Sequence, residues 1–223
     1  MEHIFKPYDK LLFVGDSITD AGRREPAYGP HGWGYAYFSS HLVASVLPDY
    51  CLTFANVGIS GNTVLDLIHR WRTDVLDQSP TVLSLLIGIN DSWRIQHRAP
   101  GTFPLMGADD YEQNLAVLLE QAVEQCECRL VLWEPFLVTH DKHLRWYQHV
   151  QAYVEKVGRL ADRFGAVLVR TQSAFNAVLA QRSPEYWAAD AVHPTRHGHA
   201  LMARLFCQAV GLRLDGPPGE AVG

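Results

Sequence analysis

Five short apolar runs constrain the fold of this chain more than any other feature: Leu11–Gly15, Cys51–Val57, Thr81–Ile87, Arg129–Trp133 and Ala166–Val169. They lack the strict apolar–polar alternation of a half-exposed sheet, so they read as strands covered on both faces. Between them lie segments of helical periodicity: Trp33–Leu47, Thr63–Asp77, Asp109–Glu127, Lys142–Phe164 and Thr171–Gln181, with Thr195–Val210 last. Leu115, Leu118, Leu119 and Val123 form the apolar stripe expected of one such helix. A regular strand–helix alternation predicts an α/β fold. The expected architecture is a three-layer α/β/α sandwich around a doubly wound, parallel, five-stranded sheet.

The 223 residues suit one domain, expected over 1–211, followed by a Gly/Pro-rich tail over 212–223. Three segments are long for loops: Ala21–Gly32, Asp91–Ala108 and Glu134–Asp141. All follow strand ends or early helical turns, the side on which open α/β sheets bind ligands. Their aromatic residues, Tyr28, Trp33, Trp93, Phe103 and Phe136, are expected to build a pocket mouth.

Charge and composition exclude several function classes. A net charge of −5 gives no basic footprint for nucleic acid. No window approaches the roughly 18 apolar residues of a membrane span. Met1–Pro7 lacks the apolar core of a signal peptide, which predicts a cytoplasmic protein. Cys51 and Cys207 read as small core residues, and Cys126 and Cys128 form a lone C-x-C at a helix end with no further ligands nearby. Reduced thiols are expected.

Four blocks carry the chemistry: Gly15-Asp16-Ser17-Ile18-Thr19, Asn56-Val57-Gly58-Ile59-Ser60-Gly61-Asn62, Gly88-Ile89-Asn90-Asp91 and Asp190-Ala191-Val192-His193-Pro194. Together they supply a hydroxyl, backbone donors, a side-chain amide and a carboxylate three residues from an imidazole. Acyl transfer by serine needs this set: a nucleophile, a base, a group that orients the base and donors for an oxyanion. Ser17 leaves the first strand after a small glycine, although a serine there also suits a helix cap. A glycine at 58 leaves its N–H open to a ligand, and turn chemistry alone also accounts for it. Asn90 offers an amide N–H from a strand end, or an Asx turn; Asp91 is expected to organise that turn. Asp190 accepts from one nitrogen of His193 while the other faces Ser17. His193, His197 and His199 also raise a zinc site, but H-E-x-x-H is absent and no Cys or carboxylate has ligand spacing. Neither a metal nor another cofactor is expected.

With these residues in view, the chain resembles the SGNH (GDSL-type) hydrolase superfamily. Ser17, Gly58, Asn90 and His193 match its four namesake residues, and Asp190 stands in the expected place. The first block reads Gly-Asp-Ser-Ile where Gly-Asp-Ser-Leu is common. The resemblance runs from Leu11 to about Val210 and implies a flavodoxin-like sandwich. The runs Gly15–Asp20, Gly58–Thr63 and Gly88–Arg94 are similar to small intracellular bacterial esterases that deacetylate xylo-oligosaccharides, although Ala189 stands where that group has a tryptophan.

The expected activity is hydrolysis of a small acyl, in particular acetyl, oxygen ester through an acyl-enzyme. Ser17 is the expected nucleophile, His193 the base and Asp190 its orienter. The N–H groups of Ser17 and Gly58 and the amide of Asn90 are the expected oxyanion donors. Asp16, Trp33, Trp93 and Phe136 are expected to line the substrate pocket. A lysophospholipase or acyl-thioesterase is the alternative within the superfamily; a non-catalytic carbohydrate-binding module is the alternative outside enzymes. Aromatic patches at Tyr186-Trp187, Trp146-Tyr147 and Pro100–Leu105 suggest a homo-oligomer, and the resembling esterases reach ring-like octamers.

Overall fold

The computed structural model describes residues 3–97 and 107–214. Five strands, β1 (Lys10–Gly15), β2 (Thr53–Asn56), β3 (Val82–Leu86), β4 (Arg129–Trp133) and β5 (Val167–Val169), pair in the order β2-β1-β3-β4-β5. Every pairing is parallel. The helices are α1 (Ser17–Asp20), α2 (Tyr35–Val46), α3 (Val64–Asp74), α4 (Ile89–His97), α5 (Ala108–Cys126), α6 (Arg145–Phe164), α7 (Thr171–Val178), α8 (Pro184–Trp187) and α9 (Arg196–Ala209). The sheet is the expected doubly wound one, and β1 and β3 flank its topological switch point.

The period-two geometry of a strand divides the apolar runs between two cores. Leu11 and Phe13 of β1 join Val82 and Leu86 of β3, Val131 and Trp133 of β4, and side chains of α2, α7 and α9. Leu12 and Val14 turn to the opposite face with Leu83, Leu85, Leu130 and Leu132, against α3, α5 and α6. Both faces are buried, which is why the runs show no polar alternation. The fully buried hydroxyl of Ser84 in β3 accepts from Trp133 Nε1–H at 2.8 Å.

Several loops differ from the sequence expectation. The segment after Asp91 begins as the two-and-a-half-turn α4, which starts at Ile89, so Asn90 lies in a first helical turn rather than at a strand end. Pro100–Leu105 and Phe103 lie outside the described residues. Glu134–Val138 is not a pocket mouth. Phe136, Leu137 and Val138 are fully buried, and the Phe136 ring packs 4.6 Å from Phe175. Gln172 holds this segment by accepting from Leu137 N–H at 2.9 Å and donating to Leu137 C=O at 3.2 Å. Phe136 was expected to line the pocket; burial of its whole ring on α7 removes it from that set. Cys51 is exposed rather than in the core, because the chain turns through a left-handed residue there before β2.

Candidate active site

Strand exits at the switch point put three of the four blocks side by side. Asp16 ends β1's exit and caps α1: its Oδ1 accepts Ile18 N–H at 3.0 Å. The capping carboxylate leaves the Ser17 hydroxyl for another partner, and Ser17 Oγ lies 2.9 Å from His193 Nε2. Asp16 itself is wholly buried, so it supports Ser17 from beneath and does not line a pocket as expected.

The fourth block arrives from a turn braced on several sides. Asp190 Oδ1 accepts the N–H of Val192 at 3.0 Å and of His193 at 2.7 Å, and its Oδ2 meets His193 Nδ1 at 2.7 Å. One carboxylate thus folds the turn and orients the ring. Ala188 and Pro194 bridge the two arms, and the buried Val138 N–H donates to Ala191 C=O at 2.8 Å. The buried Glu134–Val138 segment therefore props the histidine turn. Burial pushes the Asp190 carboxyl up, but the backbone and ring N–H of His193 and the N–H of Val192 outweigh it, and its pKa lies below the ordinary value. With Nδ1 bonded to a carboxylate, the neutral ring presents its Nε2 lone pair to Ser17.

Gly58 is required for a reason the sequence reading missed. A Cβ there would sit 2.4 Å from Asp20 N and 2.7 Å from the Thr19 carbonyl carbon, so the glycine lets the backbone of α1 pack against the end of β2. Its N–H donates to Asn56 Oδ1 at 2.9 Å, and Asn56 Nδ2 donates to Thr19 C=O at 2.7 Å and His31 C=O at 3.0 Å. Gly88, at φ 125°, makes the turn from β3 into α4 that only glycine readily adopts. Asn90 then donates one amide N–H to Asn62 C=O at 3.0 Å.

The remaining candidates separate. Trp33 is half-buried with its edge on His199, ring centroids 5.0 Å apart. Trp93 stays 45% exposed, one helical turn beyond Asn90, and stacks on His97. The three histidines weighed as zinc ligands go to different places. His193 meets Ser17, and His197 stacks on Tyr186. His199 is buried, accepts Tyr35 N–H at 3.0 Å, and is held neutral by burial with its pKa pushed down to about 3.

Asp91 does more than shape a turn. It is buried, and its Oδ1 accepts Val64 N–H at 3.1 Å, tying the start of α4 to the start of α3. Burial, reinforced by the Asp16 charge, raises its pKa to about 7.

The family model described as "GDSL-like Lipase/Acylhydrolase family" matches residues 13–201. An acetylxylan esterase from Geobacillus stearothermophilus is 37% identical over 208 residues, covering 91% of this chain and 94% of that protein. The crystal structure of a catalytic mutant of the acetylxylan esterase Axe2 from Geobacillus stearothermophilus, a serine changed to alanine, superposes with a TM-score of 0.87 at 36% identity. It covers 94% of this chain and 97% of that one. An α/β hydrolase enzyme from the metagenome of Lake Arreo, Spain, gives a TM-score of 0.86 at 32% identity, over 93% and 97% of the two chains. Solved catalytic mutants of Axe2 also include an aspartate and a histidine, each changed to alanine.

The raised Asp91 carboxyl gives a prediction whose sign follows from linkage. From the ordinary value of 3.8 up to about 7, the unfolded chain ionises this group while the folded chain keeps the proton, so its contribution to stability falls as pH rises across that window. Asp91→Asn keeps the acceptor for Val64 and never ionises. Its Tm relative to wild type is expected to improve from pH 5 to pH 8 in thermal unfolding followed by circular dichroism. A difference independent of pH would contradict a protonated buried carboxyl.

Proposed function

The chain belongs to the GDSL-like lipase/acylhydrolase family, and on that premise we propose that it is a serine carboxylic ester hydrolase that removes acetyl groups from xylo-oligosaccharides. Support for the residue roles comes from one unbroken run of hydrogen bonds, Ser17 Oγ to His193 Nε2 and His193 Nδ1 to Asp190 Oδ2, at 2.9 and 2.7 Å. In this reading His193 Nε2 takes the Ser17 proton as Oγ attacks the acetyl carbon. Asp190 holds the tautomer and stabilises the imidazolium. The oxyanion receives the Ser17 N–H and the second amide N–H of Asn90. It also receives the Gly58 N–H, shared with Asn56 Oδ1 as a three-centre bond. Collapse of the tetrahedral adduct expels the sugar oxygen, which takes the proton from His193 and leaves as the free hydroxyl. Water then attacks the acetyl-enzyme as Nε2 takes its proton; collapse returns that proton to Ser17 Oγ, and acetic acid leaves and ionises to acetate.

The exposed Trp93 face, one turn beyond Asn90, offers a stacking platform for a sugar ring, and Trp33 walls the crevice from the α2 side. No helix among the described residues is long and apolar enough to cross a membrane. A reducing compartment such as the cytoplasm belongs to the proposal and rests on four free thiols, of which Cys51 is exposed. So does a homo-oligomer. Its surface is smaller than the sequence suggested, since Tyr147 is buried while Tyr186 remains 38% exposed. Size-exclusion chromatography with light scattering tests it, and a mass of 25.0 kDa at all concentrations would end it.

Hydrolysis of p-nitrophenyl acetate and acetylated xylo-oligosaccharides tests the reading. Ser17→Ala is expected to lose about 10⁴-fold or more in kcat with its fold retained, and Asp190→Asn up to about 10⁴-fold. Asn90→Ala is expected to lose about 10²–10³-fold, mostly in kcat. Trp93→Ala should raise KM for the oligosaccharide roughly two- to tenfold and leave p-nitrophenyl acetate unchanged. Better kcat/KM on long acyl chains than on acetyl would move the reading to a lysophospholipase or acyl-thioesterase. No turnover at all would leave a binding module.

A further inference from the structure

We propose that Arg70 is a positioning residue that sets the oxyanion donors of this enzyme by clamping two of the four blocks through one guanidinium and reaching a third through Asn62; the inference rests on the esterase reading above. Arg70 lies on α3 with its side chain only 13% exposed. Its Nε–H donates to Asn62 Oδ1 at 2.7 Å and its Nη2–H to Gly15 C=O at 3.0 Å. Its Nη1 donates both to Val57 C=O and to Asp74 Oδ2, each at 2.7 Å. The Val57 carbonyl stands directly behind a proposed donor, Gly15 and Asn62 lie one step from two others, and Asp74 anchors the guanidinium from one helical turn away.

The Val57 carbonyl and the Gly58 N–H belong to the same planar peptide unit. Fixing the oxygen therefore fixes the direction of the N–H, and a cation at the oxygen polarises the amide and strengthens its donor. The Gly15 carbonyl is the last of β1, one peptide before the unit that carries the Ser17 N–H, and it also accepts Ile59 N–H at 3.0 Å. The third arm acts at one remove: Asn62 offers its side-chain oxygen to Arg70 and its backbone oxygen to Asn90 Nδ2. A planar fork reaches these divergent oxygens together in a way that a point charge on a flexible stem does not. The sequence gives little signal for this, since Arg70 sits mid-helix among ordinary charged residues.

The test is kcat and KM for p-nitrophenyl acetate in the full chain, with folding checked by circular dichroism. Wild-type turnover that disappears in Ser17→Ala establishes the reaction; its absence would overturn the esterase reading and this inference together. With that activity in hand, Arg70→Met is expected to lose kcat by about 10–100-fold with KM within about twofold. Arg70→Lys, which keeps the charge but loses the fork, is expected to lose about fivefold or more. If Arg70→Met does not fold, Arg70→Lys decides alone on that threshold. Arg72→Met, two residues away on the same helix and 81% exposed, is expected to match wild type. Because Arg70 acts in part through Asn90, the double variant Arg70→Met/Asn90→Ala should lose less than the product of the two single losses. Smaller losses in kcat, losses carried by KM, or fully multiplicative losses in the double variant would overturn the clamp while leaving the esterase reading standing.

Discussion

All five strands run the same way, so their carboxyl ends share one edge of the sheet, and every segment that leaves them must start there. The first three exits carry Ser17, Gly58 and Asn90 within a few residues of β1, β2 and β3. Large sequence separations collapse to neighbouring strands because β1 sits between β2 and β3. The histidine has no such support. It lies in a turn before α9, and its position depends on Asp190, on the Ala188–Pro194 bridge and on the buried chain after β4. The proposed nucleophile is thus built by the sheet, and the proposed base is delivered to it.

This division explains where polar groups are buried. Asp16, Asp91, Asn56 and Arg70 hold backbone groups behind the crevice: Ile18 N–H, Val64 N–H, Gly58 N–H and the carbonyls of Val57 and Gly15. Their burial costs solvation, visible in the raised pKa of about 7 for both Asp16 and Asp91. The exposed pair, Asp190 and His193, remains more than half accessible at both side chains and keeps its carboxylate ionised. Rigid, dry support beneath and a wet acid–base pair above suit a site that must admit water in its second half-reaction.

Much of this was legible from the residues. Apolar runs without alternation specify strands buried on both faces, and β4 matched its run residue for residue, because nothing but sheet burial shapes such a segment. Ser17, Asp190 and His193 were legible as a set because the chemistry requires those side chains. Tertiary packing hid the rest. Phe136 looks like any loop aromatic until α7 is placed on top of it. The need for glycine at 58 looks like a matter of opening its N–H alone, until the backbone of α1 occupies the place of a Cβ. Asp16 resembles a pocket acid, and only the four-residue α1, too short to show a period, turns it into a buried cap. Arg70 reads as one half of an i,i+4 ion pair with Asp74, since two of its other acceptors are backbone oxygens at strand ends that the sequence does not bring near it.

The central claim is that Ser17 is activated through His193 at the carboxyl edge of this sheet. Reaction with diethyl p-nitrophenyl phosphate, followed by intact mass and peptide mapping, tests it most directly. The account predicts a single diethylphosphoryl adduct per chain, on Ser17, formed by wild type and not by His193→Ala over the same interval. An adduct on any other serine, or labelling of Ser17 at an undiminished rate in His193→Ala, would contradict it.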